Sequence, residues 1–172
     1  MSIRLKMQSD NLFVVGDQGG AMLAYDLLAI QNDPVLAKRL GIQPAPIRFS
    51  AAAYLSGPAC PKDSRHRPAG LPWSGNRTAR RVRDLQPDQP GLVDHQPPTL
   101  FVTGTRGGSC SGIGKLTERF AEKEKPFRVI RFDNSPNHYP GFCVNDPELP
   151  ESRQVLGEIA SFFDAHRANQ TY

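Results

Sequence analysis

The stretch Leu12-Phe13-Val14-Val15-Gly16-Asp17-Gln18-Gly19-Gly20-Ala21 carries the residues whose spacing could do chemistry. A short apolar run of this kind reads as a buried parallel strand. It stops at Gly16, turns through Asp17 and Gln18, and restarts as helix on Gly19 and Gly20. A sharp strand-to-helix turn needs small residues on either side of the residue it presents. The spacing is that of a nucleophile elbow, G-x-S-x-G, which holds a serine out for attack on a carbonyl. Here Gln18 stands in the serine's place. A side-chain amide cannot be deprotonated to attack an ester. Two other readings of the turn stay open. It is an ordinary tight turn, or Asp17 is itself the nucleophile and attacks carbon. Downstream, His138 in Ser135-Pro136-Asn137-His138-Tyr139-Pro140 has no evident partner, and a lone histidine is more often a surface residue. Asp133 and Asp146 flank it, and a flanking aspartate is usually a cap or a solvated residue.

The elements that must position these residues alternate between strand and helix. Phe13 to Val15 is the first strand. Gly19 to Ile30 is apolar on nearly every face and predicts a buried helix. Asp33 followed by Pro34 is a helix start, and Gly41 ends that short helix, whose face is Val35, Leu36 and Leu40. Ile47 to Leu55 is a second strand, with Phe49, Ala51, Ala53 and Leu55 on one side. Leu100 to Gly104 is a third. Ile113, Leu116 and Phe120 recur at helical spacing. Phe127 to Phe132 alternates arginine with apolar residues, as a half-exposed edge strand would. Asp146-Pro147 caps a last helix, with Val155, Leu156, Ile159, Phe162 and Phe163 on the stripe facing the sheet. Such alternation gives an α/β fold with a parallel sheet.

The chain has 172 residues, enough for one domain with a real core. Net charge is +4, and much of the excess comes from Arg65, Arg67, Arg77, Arg80, Arg81 and Arg83. That segment lies inside 57–98, a run rich in Pro, Arg, Gly, Gln and Asp with no sustained period. It reads as an irregular insertion, a lid or a disordered stretch. Out-of-frame reading of GC-rich DNA gives the same composition. A basic binding module over 65–83 is the alternative. It lacks interleaved aromatics apart from Trp73, which argues against nucleic acid. The N-terminal residues show no apolar leader. No apolar run approaches the ~20 residues of a membrane span. Cys60, Cys110 and Cys143 have neither metal-ligand nor disulfide spacing, so a cytoplasmic setting is expected and no metal or cofactor.

In order along the chain, these segments resemble an α/β-hydrolase of the hormone-sensitive-lipase-like esterase group. Residues 16–24, GDQGGAMLA, resemble the group's GDSAGG elbow. Residues 97–108, PPTLFVTGTRGG, resemble the strand and G-T-R-D turn that carry the acid, and Leu85 to Pro98 the approach to it. Residues 135–142, SPNHYPGF, resemble the histidine loop, and 147–166 the closing helix. The resemblance implies carboxylic ester hydrolysis by acyl transfer, with triad members in the order Ser, Asp, His. The nucleophile position falls on Gln18, the acid position on Gly107 and the base on His138. Ser56, Ser109 and Ser111 read as turn residues. In this group the oxyanion loop lies upstream of the elbow, and Leu12 already opens the elbow strand here.

The expectation is therefore a partial α/β-hydrolase fold over 1–172, a single truncated domain with a parallel sheet of about four strands and helices on both faces. The implied substrate is a small-molecule ester, met by an incomplete triad. A non-catalytic hydrolase-like fragment is the competing reading. A haloalkane-dehalogenase- or epoxide-hydrolase-like use of Asp17 is another, because D-Q-G-G resembles those enzymes' D-W-G-G turn. The first strand is expected to be an exposed edge that invites self-association.

Overall fold

A computed structural model describes residues 11–58, 90–104, 109–133 and 135–167. Four parallel strands form one sheet in the order β1 (Leu12–Asp17), β2 (Phe49–Leu55), β3 (Thr99–Gly104) and β4 (Phe127–Phe132). The helices among the described residues are α1 (Gly19–Asn32), α2 (Pro34–Leu40), α3 (Pro90–Asp94), α4 (Ser109–Glu122), α5 (Phe142–Asn145) and α6 (Pro150–Ala165).

Alternation along the central strands builds two cores. Ala52, Tyr54 and Phe101 face one side, where Tyr25 and Leu28 of α1, Leu36 of α2, Val93 of α3 and Phe120 of α4 cover them. Ala51, Ala53, Leu100 and Val102 face the other, under Phe142 of α5 and Val155, Ile159 and Phe162 of α6. Helices on both faces are what a parallel sheet needs, because its strands are apolar on both sides. Gln96 plugs the first core from within. It accepts from the Tyr54 hydroxyl at 2.8 Å and donates to the Tyr25 carbonyl at 3.0 Å, so this buried amide is satisfied.

Several local expectations are corrected. Phe49 packs with the α1 side, opposite Ala51, because the β1–β2 register shifts between Leu12 and Phe13. Helix α1 is not buried all round: Leu23 and Leu27 are exposed. In α2 the Asp33 carboxylate caps Val35 and Leu36 as expected, yet Val35 is exposed and Ala37 takes its place inside. The closing helix starts at Pro150 after Leu149, without a side-chain cap. Asp146 instead ends α5, and its Oδ2 accepts from the Tyr139 hydroxyl at 2.5 Å. Leu156 points to solvent. Within 57–98, residues 59–89 lie outside the described residues, as does the basic module expected at 65–83. The end of that stretch is regular, since α3 buries Leu92 and Val93.

Candidate functional site

The site lies at the carboxyl-terminal rim of the sheet, where ligands of open α/β sheets bind. Strand β1 ends at Asp17, and Gln18 then makes the turn with φ 49° and ψ −113°. A non-glycine residue at positive φ is strained, and such strain collects at functional positions. Three backbone bonds fix the conformation. The Gln18 N–H donates to Leu55 O at 2.9 Å, and its carbonyl accepts from Ala21 and Met22 to start α1. Gly16 permits the turn: a Cβ there would lie 2.5 Å from Gly20 O and 2.7 Å from Ala21 Cα. Gly19 and Gly20 have open space around them, so the close approach falls on Gly16 alone of the three.

The loop carrying His138 closes over this rim. At the end of β3, a Cβ on Gly104 would meet the His138 carbonyl oxygen at 2.6 Å. At the end of β2, Ser56 Oγ accepts from the Gly141 N–H at 3.1 Å. From the elbow, Gln18 Nε2 donates to Pro140 O at 3.3 Å. Three strand ends thus hold one loop, and Gln18 and the histidine loop come together although 122 positions separate Gln18 from Pro140.

His138 is buried among aromatic rings, with centroids 5.1 Å from Phe132 and 5.2 Å from Phe142. Among the described residues neither ring nitrogen makes a hydrogen bond. The charged neighbour is Glu151, in the first turn of α6, whose Oε1 lies 3.6 Å from Nε2. Sequence reasoning missed Glu151. An acidic residue in a first helical turn already has a sufficient structural reason, the helix dipole, so its type carries no signal of a second role.

The remaining candidates fall as follows. Asp17 is half-buried beside Gln18, and burial pushes its carboxyl up against hydrogen bonds from Gln18. Its Oδ1 is buried without a partner among the described residues. Asp17 ends the strand, and Gln18 holds the strained turn. Cys143 sits close by on α5. Burial first, then the Asp17 carboxylate, pushes its thiol up to about 12, so it stays protonated at neutral pH. Gly107 lies outside the described residues, as do the side chains of Ser109 and Ser111. Among the described residues, no three of His, Cys, Asp and Glu gather as a metal site. No helix there is long and apolar enough to cross a membrane.

No protein-family model and no curated protein matches the chain. Solved structures do. Esterase B from Lactobacillus Rhamnosis superposes with a TM-score of 0.69 at 22% identity, over 92% of this chain and 53% of its own. An esterase/lipase from an uncultured bacterium superposes with a TM-score of 0.59 at 16% identity, over 94% of this chain and 55% of its own. A hormone-sensitive lipase from a metagenome library gives a TM-score of 0.59 at 16% identity, over 92% and 55%. The fold is that of the α/β-hydrolase esterases, and it is a partial one. The chain spans about half the length of the structures it matches.

Proposed function

We propose that this is an esterase/lipase-type hydrolase-fold chain whose site receives a small carboxylic ester but, with Gln18 at the elbow, lacks serine acyl transfer. The observation that carries the reading is Gln18 itself. It keeps the strained turn of an elbow and is tied to the histidine loop through Pro140. His138 takes the base position, and we assign Glu151 as the carboxylate beside it, since Gly107 at the acid position has no side chain. An imidazole can take a proton only from a group that can give one up, and an amide at the apex cannot. The likeness to solved esterases supports the substrate class. A cytoplasmic setting is proposed on the scattered cysteines.

The aspartate-nucleophile reading has less support. The strained turn presents Gln18, while Asp17 ends the strand before it.

The test separates binding from turnover. Hydrolysis of p-nitrophenyl butyrate is measured for the wild type, His138→Ala and Asp17→Asn, and ligand-observed NMR follows methyl butyrate. We expect equal, feeble hydrolysis in all three, with methyl butyrate binding lost in Gln18→Trp. Strong turnover that vanishes in His138→Ala would overturn the non-hydrolytic reading. Loss in Asp17→Asn as well would establish the aspartate route. No binding by the wild type would sink the ester site.

A further inference from the structure

The opposite rim of the sheet holds a second concavity. The entry to β2, the link from α3 to β3, the approach to β4 and the end of α6 enclose a cleft of about 780 Å³. We propose that this cleft binds a small multivalent organic anion, of the phosphorylated or polycarboxylate kind.

Charge is the first argument. Arg48, Lys125 and Arg167 line the cleft. Asp94 is the carboxylate of the lining, and Lys123 offsets it at 3.0 Å. The cations are placed but not used up. Lys125 Nζ donates to the Asp94 carbonyl at 3.0 Å, which leaves two ammonium donors. Arg167 spends Nε on Asp164 at 3.0 Å, and no other ion pair engages its guanidinium among the described residues. Arg48 makes no ion pair among the described residues. A concave wall with a net positive charge concentrates counter-ions.

Shape and rigidity are the second argument. The volume falls in the range of about 300–1,000 Å³ that small-molecule sites occupy. Phe49 and Pro97 give it apolar lining, which suits an organic anion better than a bare ion. The wall is pinned in advance. Asn32 Nδ2 donates to His95 O at 2.8 Å, and the neighbouring Gln96 is locked to Tyr54 and Tyr25. The His166 ring is held in place by its Nδ1–H, which donates to Phe162 O at 2.8 Å. Preformed donors cost less ordering entropy on binding.

Thermal unfolding of the full chain tests the proposal, with inorganic pyrophosphate and citrate as separate probes against sodium chloride at matched ionic strength. At roughly 100 times its dissociation constant, a bound anion should raise Tm by about 5–10 °C. Arg48→Glu and Arg167→Glu should each abolish most of that rise. Lys38→Glu, at an exposed position of α2, makes the same change in net charge and should keep it. A response to pyrophosphate alone assigns the phosphorylated source, and a response to citrate alone the polycarboxylate one. No rise with either probe, or equal rises in all variants, would overturn the proposal, the latter as a general salt or net-charge effect. Binding at the opposite rim is not involved, so this result stands or falls apart from the ester site.

Discussion

His138 Nε2 and Glu151 Oε1 stand 3.6 Å apart, close for two charges and too far for a good hydrogen bond. The imidazole is otherwise enclosed by Phe132 and Phe142. A buried polar ring without hydrogen bonds costs stability. His138→Phe should leave stability unchanged or raise it by ~1–2 kcal/mol. Urea unfolding checks this, and a loss beyond ~2 kcal/mol would mean the imidazole is structural.

Asp26 gives the chain a pH dependence. Burial pushes its carboxyl up from 3.8 to about 7. In the window between those values the folded state binds more protons than the unfolded one, so stability falls as pH rises. Asp26→Asn should flatten that slope and add up to roughly 3–4 kcal/mol at pH 8, relative to the wild type. Parallel stability profiles for the two proteins between pH 4 and 8 would contradict the assignment.

Two glycines are required by close approach. A methyl group on Gly16 would press on the Gly20 carbonyl, and one on Gly104 on the His138 carbonyl. Each Gly→Ala change should cost about 2–4 kcal/mol, while Gly19→Ala, with nothing near it, should cost less than ~1 kcal/mol. Similar midpoints for all three in chemical unfolding would show that the turn relaxes freely.

The two phenylalanines near the end of α6 are unequal. Phe162 is buried in the second core, whereas Phe163 is half-buried and stacks on Phe13 at 4.6 Å. Phe162→Ala should cost ~3–5 kcal/mol. Phe163→Ala should cost about half as much. The reverse order in calorimetry would mean that the helix is rotated.

Among the described strands β1 pairs only with β2, and Val15 is 49% exposed. With exposed Leu23 and Leu27 nearby on α1, we propose this edge as a self-association surface. Light scattering should show mass rising with concentration. Val15→Lys should suppress it, and a wild-type monomer at high concentration would refute the surface.

The sequence by itself determined the four strands and the longer helices between them, while the short α3 and α5 were not legible in it. Apolar runs ending at Gly16 and Gly104 read as parallel strands, and Asp33-Pro34 as a helix start. It also placed His138 on the loop that closes the rim. Periodicity counts apolar residues but not their neighbours, so it could not see that Leu23, Val35 and Leu156 lack a cover. Phe49 changed sides through a register shift, a property of two strands and not of one. Glu151 reached His138 because α5 and the turn after it bring the first turn of α6 back over the rim. The basic cleft gathers Arg48, Lys125 and Arg167 from three separate segments. Contacts between distant segments are set by how layers pack, and local sequence spacing carries no record of them.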